Sequence, residues 1–294
     1  YGEVSQDNVF SLAIRKKGIP IKNIKVEEKR LEFFKEVLPW MSNRLIIIHK
    51  STLPLRNLVP IDSFRSTASG NPLTTFEISL KLRFAWLERF LESHFYRTSL
   101  GSAYPIGEIN ISRGFSGVMK SSYQYTKLSA SLSDNFKLPP FGNISWYIYG
   151  GKTFGTLPYT LLDIAPGNEL YYYNKYAFNM MNRWEFIHDK YGGINLEHNI
   201  GNGIFRWFPK LRFRQFWTAK ALWGSLTPAN RALNFKQGYS FQTLDGNTYL
   251  ELGTGVDNIF KVFRIDFVWR VLPATVPKEG DRSFGVFGSF RVAF

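Results

Sequence analysis

Cysteine is absent from this 294-residue chain. That excludes a disulfide framework, a thiolate metal site and a cysteine nucleophile. Histidine is scarce, at four residues. No run reaches the roughly 18–20 unbroken apolar residues of a transmembrane helix. There is no G-x-S-x-G and no H-E-x-x-H, and "YGGKTFG" at Tyr149–Gly155 lacks the frame of a phosphate loop. Solenoid repeats and low-complexity tracts are missing too. The chain opens at Tyr1 with neither an initiator methionine nor a signal sequence, as expected of the C-terminal portion of a longer protein.

Aromatic residues are abundant, at 17% of the chain (27 Phe, 15 Tyr, 8 Trp). Mean hydropathy is nevertheless slightly polar, at −0.18. A water-soluble core with so many rings would also be rich in Leu, Val and Ala. Rings with near-neutral hydropathy fit a transmembrane β-barrel, where alternate residues meet lipid and aromatics gird both interfaces. The net charge of +14 suggests nucleic acid, but the 37 Lys and Arg are dispersed, often at alternate strand positions such as Lys81 and Arg83. A basic lumen, or loops facing lipopolysaccharide, accounts for the charge without a nucleic-acid partner.

Period-two alternation is strongest in "TFEISLKLRFAWL", Thr75–Leu87. Phe76, Ile78, Leu80, Leu82, Phe84 and Trp86 share one parity, and Thr75, Glu77, Ser79, Lys81, Arg83 and Ala85 the other. That is a strand and not a helix, long enough for the roughly 9–11 tilted residues that cross a bilayer. The same grammar recurs in Leu211–Trp223, Tyr249–Asp257 and Arg264–Val271. Weaker versions lie at Phe10–Ile14, Ile109–Ile111, Leu128–Leu132, Ile144–Ile148, Phe178–Ile187 and Ile194–Ile204. "RLIIIHK", within Lys35–Phe64, reads as a strand between irregular loops or as a segment folded against a barrel. The expected fold is all-β: one antiparallel transmembrane barrel over residues 1–294, with about 12 or more strands.

Short links at Asp257–Lys261 and Gly203–Lys210 contrast with the long Ser225–Asn247 and the polar Pro273–Arg282. Outer-membrane barrels carry short periplasmic turns and longer outside loops, so Phe294 is expected in the periplasm. The last strand, "SFGVFGSFRVAF", puts Phe284, Val286, Gly288, Phe290, Val292 and Phe294 on one parity; Phe287 breaks the polar pattern of the other. A closing strand needs an apolar lipid face, because in lipid every backbone group must find an internal partner. Phe290, Val292 and Phe294 are the expected closure and insertion signal. The competing architecture is a β-sandwich with one wet face, which explains single strands better than the series.

The block Tyr249–Val271 with Phe284–Phe294 is similar to the end of a Bacteroidota-type outer-membrane barrel family, most clearly from about Asn143 onward. Gly253, Gly255, Asp257, Asn258 and Phe260, then Arg264, Asp266 and Trp269, carry the likeness. The resemblance implies a bacterial outer-membrane location, further strands, and a carboxypeptidase-regulatory-like β-sandwich before the barrel that binds or assists folding and is not a peptidase. "SRGF", Ser112–Phe115, more loosely resembles the inward Arg-Gly-Phe motif of the BamA/TamA-like insertases, making Arg113, Gly114 and Phe115 the candidate inward residues.

Chemistry is otherwise thin. A hairpin turning at Asp189–Gly193 would place His188 and His198 outward, near an interface, with Glu185 and Glu197 on the opposite parity, which disfavours a metal. His188–Asp189 is the one adjacent His–Asp pair for a barrel hydrolase. "ELYYYNKY" and "FRWFPKLRF" interleave rings with basic residues as an interface belt does. The expected role is non-enzymatic and cofactor-free: envelope transport or assembly within a larger complex, in contact with outer-membrane lipid, lipopolysaccharide and other outer-membrane or periplasmic proteins. An insertase is the alternative.

Overall fold

Alternation of apolar and polar residues becomes a set of long antiparallel strands. The structure, a computed structural model, describes residues 41–52, 73–92, 97–207, 212–235, 242–273 and 283–290. The chain divides into two compact units, residues 1–132 with 153–157, and residues 133–152 with 158–294.

In the first unit β1 (Met41–Thr52) pairs with β2 (Leu73–Ala85) in unbroken register from Met41↔Phe84 to Thr52↔Leu73. "RLIIIHK" is therefore a strand. After β2 a small hairpin of β3 (Arg89–Glu92) and β4 (Arg97–Gly101) intervenes. β5 (Ile106–Gly114) then returns to pair with β2. β6 (Tyr125–Lys137) begins in this unit. Polar groups line its buried parity: Ser79 and Ser112 share a 2.6 Å hydrogen bond, and the Tyr125 hydroxyl donates to Glu77 at 2.7 Å.

The second unit continues with β7 (Asn143–Phe154), the short β8 (Asp163–Ile164) and β9 (Ile187–His188), and β10 (Lys190–Gly201). β11 (Arg214–Ser225), the helix α1 (Pro228–Asn234), β12 (Thr248–Ile259), β13 (Phe263–Leu272) and β14 (Phe284–Phe290) follow. The wall order is β7–β10–β11–β12–β13–β14, each neighbour antiparallel. The turn between β12 and β13 sits where the sequence placed it, at Asn258–Val262, with Asn258, Phe260 and Lys261 at positive φ.

Burial on this wall is inverted relative to a soluble sheet. Ile194, Leu196, Trp217, Leu252, Ile265, Trp269, Phe284, Val286 and Phe290 are exposed, while Glu197, Lys220, Glu251, Arg264, Asp266 and Arg270 on the opposite parity are buried. Leu80 in the first unit is likewise exposed, and Phe76 and Phe267 are half-buried. Within each unit these apolar residues lie on the exposed or half-buried side, where a soluble sandwich would bury them.

The apolar core of the second unit instead lies between the buried face and the segment linking β7 to β10. Ala165, Phe178, Met181 and Phe186 of that segment pack with Leu222, Leu244 and Tyr249; Tyr173 packs with Val268 and Phe287. Phe178–Ile187, expected as a wall strand, is thus mostly irregular chain inside the wall. Its apolar side chains meet a surface that follows no period of two. The expected strand at Phe10–Ile14, the closing residues Val292 and Phe294, and most of Pro273–Arg282 lie outside the described residues.

Candidate functional site: a charged wall gripping an internal segment

Inward-facing residues of β10–β13 alternate in charge, and the strand pleat brings them to one surface. Lys220, Arg264 and Arg270 of the wall stand against Glu197, Glu251 and Asp266, joined by Glu185 from the internal segment. With Asp189 and Asp257 also buried, acidic groups outnumber basic ones on this side, which is not the basic lining that +14 suggests.

Two subsets form. In the first, Arg264 donates through Nε and Nη2 to Asp266 (2.7–3.0 Å) and through Nη1 to Glu197 at 2.9 Å. Its guanidinium lies 4.2 Å from the Phe216 ring centroid and 4.8 Å from that of Tyr173. Gly255, cross-strand from Asp266, leaves the room: a Cβ there would sit 2.4 Å from Asp266 Oδ1. Arg270 pairs with Glu185 at 2.8 Å and lies over Tyr249, 5.0 Å away. Arginine's flat, weakly hydrated cation suits such buried, ring-stacked pairing.

The second subset holds backbone. Lys220 Nζ donates to the carbonyls of Asn174 (2.8 Å) and Ala177 (2.6 Å). Glu251, 2% exposed, accepts from the amides of Asn179 (2.9 Å) and Met180 (2.7 Å) and from the Tyr249 hydroxyl (2.7 Å). Within the gripped turn Asn179 is the knot: its Oδ1 accepts from the Asn174 amide (2.8 Å) and from Asn168 Nδ2 (2.9 Å), and its Nδ2 donates to the Asn174 carbonyl (3.0 Å). On the edge of β14 that faces away from β13, Gly288 donates to the Tyr171 carbonyl (2.9 Å) and accepts from the Tyr173 amide (3.0 Å).

The residues singled out by sequence fall differently. Phe290 is on the exposed parity of β14, 66% exposed, its ring 4.8 Å from that of Phe263. Arg113 and Gly114 end β5, with Arg113 on the exposed parity and its guanidinium 5.9 Å from the Phe115 ring. The Phe115 amide donates to the Phe76 carbonyl. The motif is wall and not an inward loop, because its backbone is committed to β2.

His188 is buried, not at an interface: the hairpin expected at Asp189–Gly193 does not form, and β10 runs straight through those positions. Burial holds its imidazole neutral, with the pKa lowered to about 4. Asp189 Oδ2 accepts from the Thr227 amide (2.8 Å), the Thr227 hydroxyl (2.6 Å) and Asn230 Nδ2 (2.8 Å), tying down the start of α1. His198 lies on the outward parity, its Nε2 2.7 Å from the Phe141 carbonyl. Among the described residues no group of three or more His, Asp or Glu is placed to hold a metal. In "ELYYYNKY" Tyr173 is buried, while Tyr171, Tyr172 and Tyr176 are exposed.

An all-β chain with a charged buried face and an apolar exposed one has the architecture of barrel walls. It is similar to the solved structure of BamA from Haemophilus ducreyi lacking POTRA domains 1–3, with a TM-score of 0.50 at 11% identity, over 86% of this chain and 52% of that one. The chain thus spans about half the length of that protein. Residues 54–232 match the C-terminal domain of a family of unknown function, DUF5686, and the chain belongs to that family. No curated protein matches it. Among the described residues no helix is long and apolar enough to cross a membrane.

Proposed function

We propose that these strands form the membrane wall of a bacterial outer-membrane β-barrel, closed in the whole protein, whose lumen holds the segment between β7 and β10. The inverted burial of β10–β13 carries the reading. Only hydrocarbon outside and a polar, filled lumen inside make exposed Ile265 and Trp269 and buried Arg264 and Asp266 favourable together. Strand length agrees: a 12-residue strand such as β11 rises ~40 Å and, tilted about 45°, covers about 28 Å, the thickness of a hydrocarbon core.

In this reading the protein is non-enzymatic and acts in envelope transport or assembly within a larger complex. It touches outer-membrane lipid and lipopolysaccharide as well as other outer-membrane or periplasmic proteins, and its C-terminus faces the periplasm. A carboxypeptidase-regulatory-like module precedes the barrel.

The test is heat modifiability. Protein extracted from outer-membrane fractions in detergent should run as a faster band unheated than boiled. A protein soluble without detergent, or running identically in both states, ends the proposal. A second reading, an insertase, is favoured by one observation: among the described residues the outer edge of β14 is bonded to Tyr171–Tyr173 and not to another wall strand. Arg113 in the wall speaks against it.

A further inference from the structure

Six hydrogen bonds from the wall to residues 171–180 go to main-chain groups, and a further one joins the Tyr173 side chain to Thr218 of β11. Gly288 takes Tyr171 and Tyr173, Lys220 takes Asn174 and Ala177, and Glu251 takes Asn179 and Met180. Side chains add the Tyr173 ring, 4.9 Å from Lys220 Nζ, and a 3.8 Å approach of Lys175 to Glu197. Carbonyls and amides are common to every polypeptide, so these six bonds read backbone and a direction of chain, while the buried Tyr173, Phe178 and Met181 add contacts that read side chains.

Phe178 and Met181 already hold the segment by apolar contacts, and burying Lys220 and Glu251 to bond its backbone carries a desolvation cost that filling space does not require. Charged groups bonded to backbone can instead exchange one chain for another, since each new chain offers the same donors and acceptors.

From this geometry we infer that the Lys220–Glu251–Gly288 surface is a polypeptide-binding site, and that residues 171–180 occupy it in cis in place of a second polypeptide segment. The inference rests on the barrel reading and supplies its substrate class: an unfolded or extended polypeptide inside the lumen. Asn179 keeps the internal occupant in place by folding its turn, without itself belonging to the wall.

The experiment uses the full chain in detergent micelles and a fluorescein-labelled synthetic peptide of the Tyr171–Met181 sequence, followed by anisotropy. Asn179→Ala loosens the internal turn and should tighten peptide binding at least about tenfold over the parent. Adding Glu251→Gln should return affinity to the parent level. A peptide N-methylated at the amides equivalent to Asn179 and Met180 should bind at least about tenfold more weakly than the unmethylated one. Binding unchanged by Asn179→Ala, or indifferent to N-methylation, overturns the inference.

If Asn179→Ala does not fold, the Tyr172→Cys/Gly288→Cys pair, in a chain without other cysteines, locks the segment when oxidised. Oxidation should abolish peptide binding and reduction restore it; indifference to the lock refutes the site. A parent that shows no heat-dependent gel shift refutes the barrel instead, so the two failures are separate.

Discussion

Lys220 and Glu251 are direct partners in the β11–β12 register, and they grip one turn of the internal segment by opposite chemistry, cation on carbonyls and carboxylate on amides. Neither could stand alone in that place. Glu251→Ala leaves two buried amides and the Lys220 charge uncompensated, and should cost about 3–5 kcal/mol of stability. The apolar double variant Lys220→Met/Glu251→Leu should lie closer to the parent than the sum of its singles. A double-mutant cycle on thermal midpoints in detergent measures the coupling, expected above about 1 kcal/mol.

Gly255 makes a second prediction. Gly255→Ala drives a methyl into Asp266, whose carboxylate is already fixed by Arg264, so overpacking should cost about 1–3 kcal/mol. Gly288→Ala, where nothing lies within 4 Å of the new Cβ, should change stability by less than about 0.5 kcal/mol. Equal effects would mean that the Arg264–Asp266 pair does not depend on that space.

The outward parity has its own test. Ile265→Arg should destabilise the protein in lipid bilayers by about 2–4 kcal/mol, while Ile265→Phe should be nearly neutral. Reversible folding into phospholipid vesicles, followed by urea titration, reads the difference. Tolerance of arginine there would place this face in water.

His188 sets a pH dependence. Its folded pKa is depressed to about 4 from the ordinary 6.5, so between those values the unfolded chain binds the extra proton. Stability from this group is full above about pH 6.5 and is lost as pH falls toward 4, by an amount on the order of 3 kcal/mol. Asp163, Asp189 and Tyr191 surround the imidazole; burial lowers its pKa and the Asp189 charge opposes that in part. A His188→Phe variant should lose this slope of midpoint against pH while keeping the fold.

The wall was legible because its strands obey a period of two: Thr75–Ala85, Tyr249–Asp257 and Arg264–Val271 form strands with the expected parities, while Trp86 and Leu87 lie in the turn after β2. The internal segment was not. Phe178, Met181 and Phe186 are apolar at spacings of three and five, and they resemble a weak strand until the surface they meet is known. A signal was present nonetheless: Leu222, Tyr249, Val268 and Phe287 are large apolar residues on the polar parity, and each packs against the segment. Departures from alternation marked the docking face. His188 and Arg113 misled for a related reason, since each was placed by local pattern while its environment is set by non-local pairing.

The pairing of β7 with β10 runs unbroken from Lys152↔Lys190 to Asn143↔Asn199, so the two strands on either side of the internal segment already touch. The segment therefore enters and leaves the wall at one rim, like a drawbridge with both hinges on the same bank. Swinging it out would break its bonds to Lys220, Glu251 and Gly288 without unzipping any rung of that ladder.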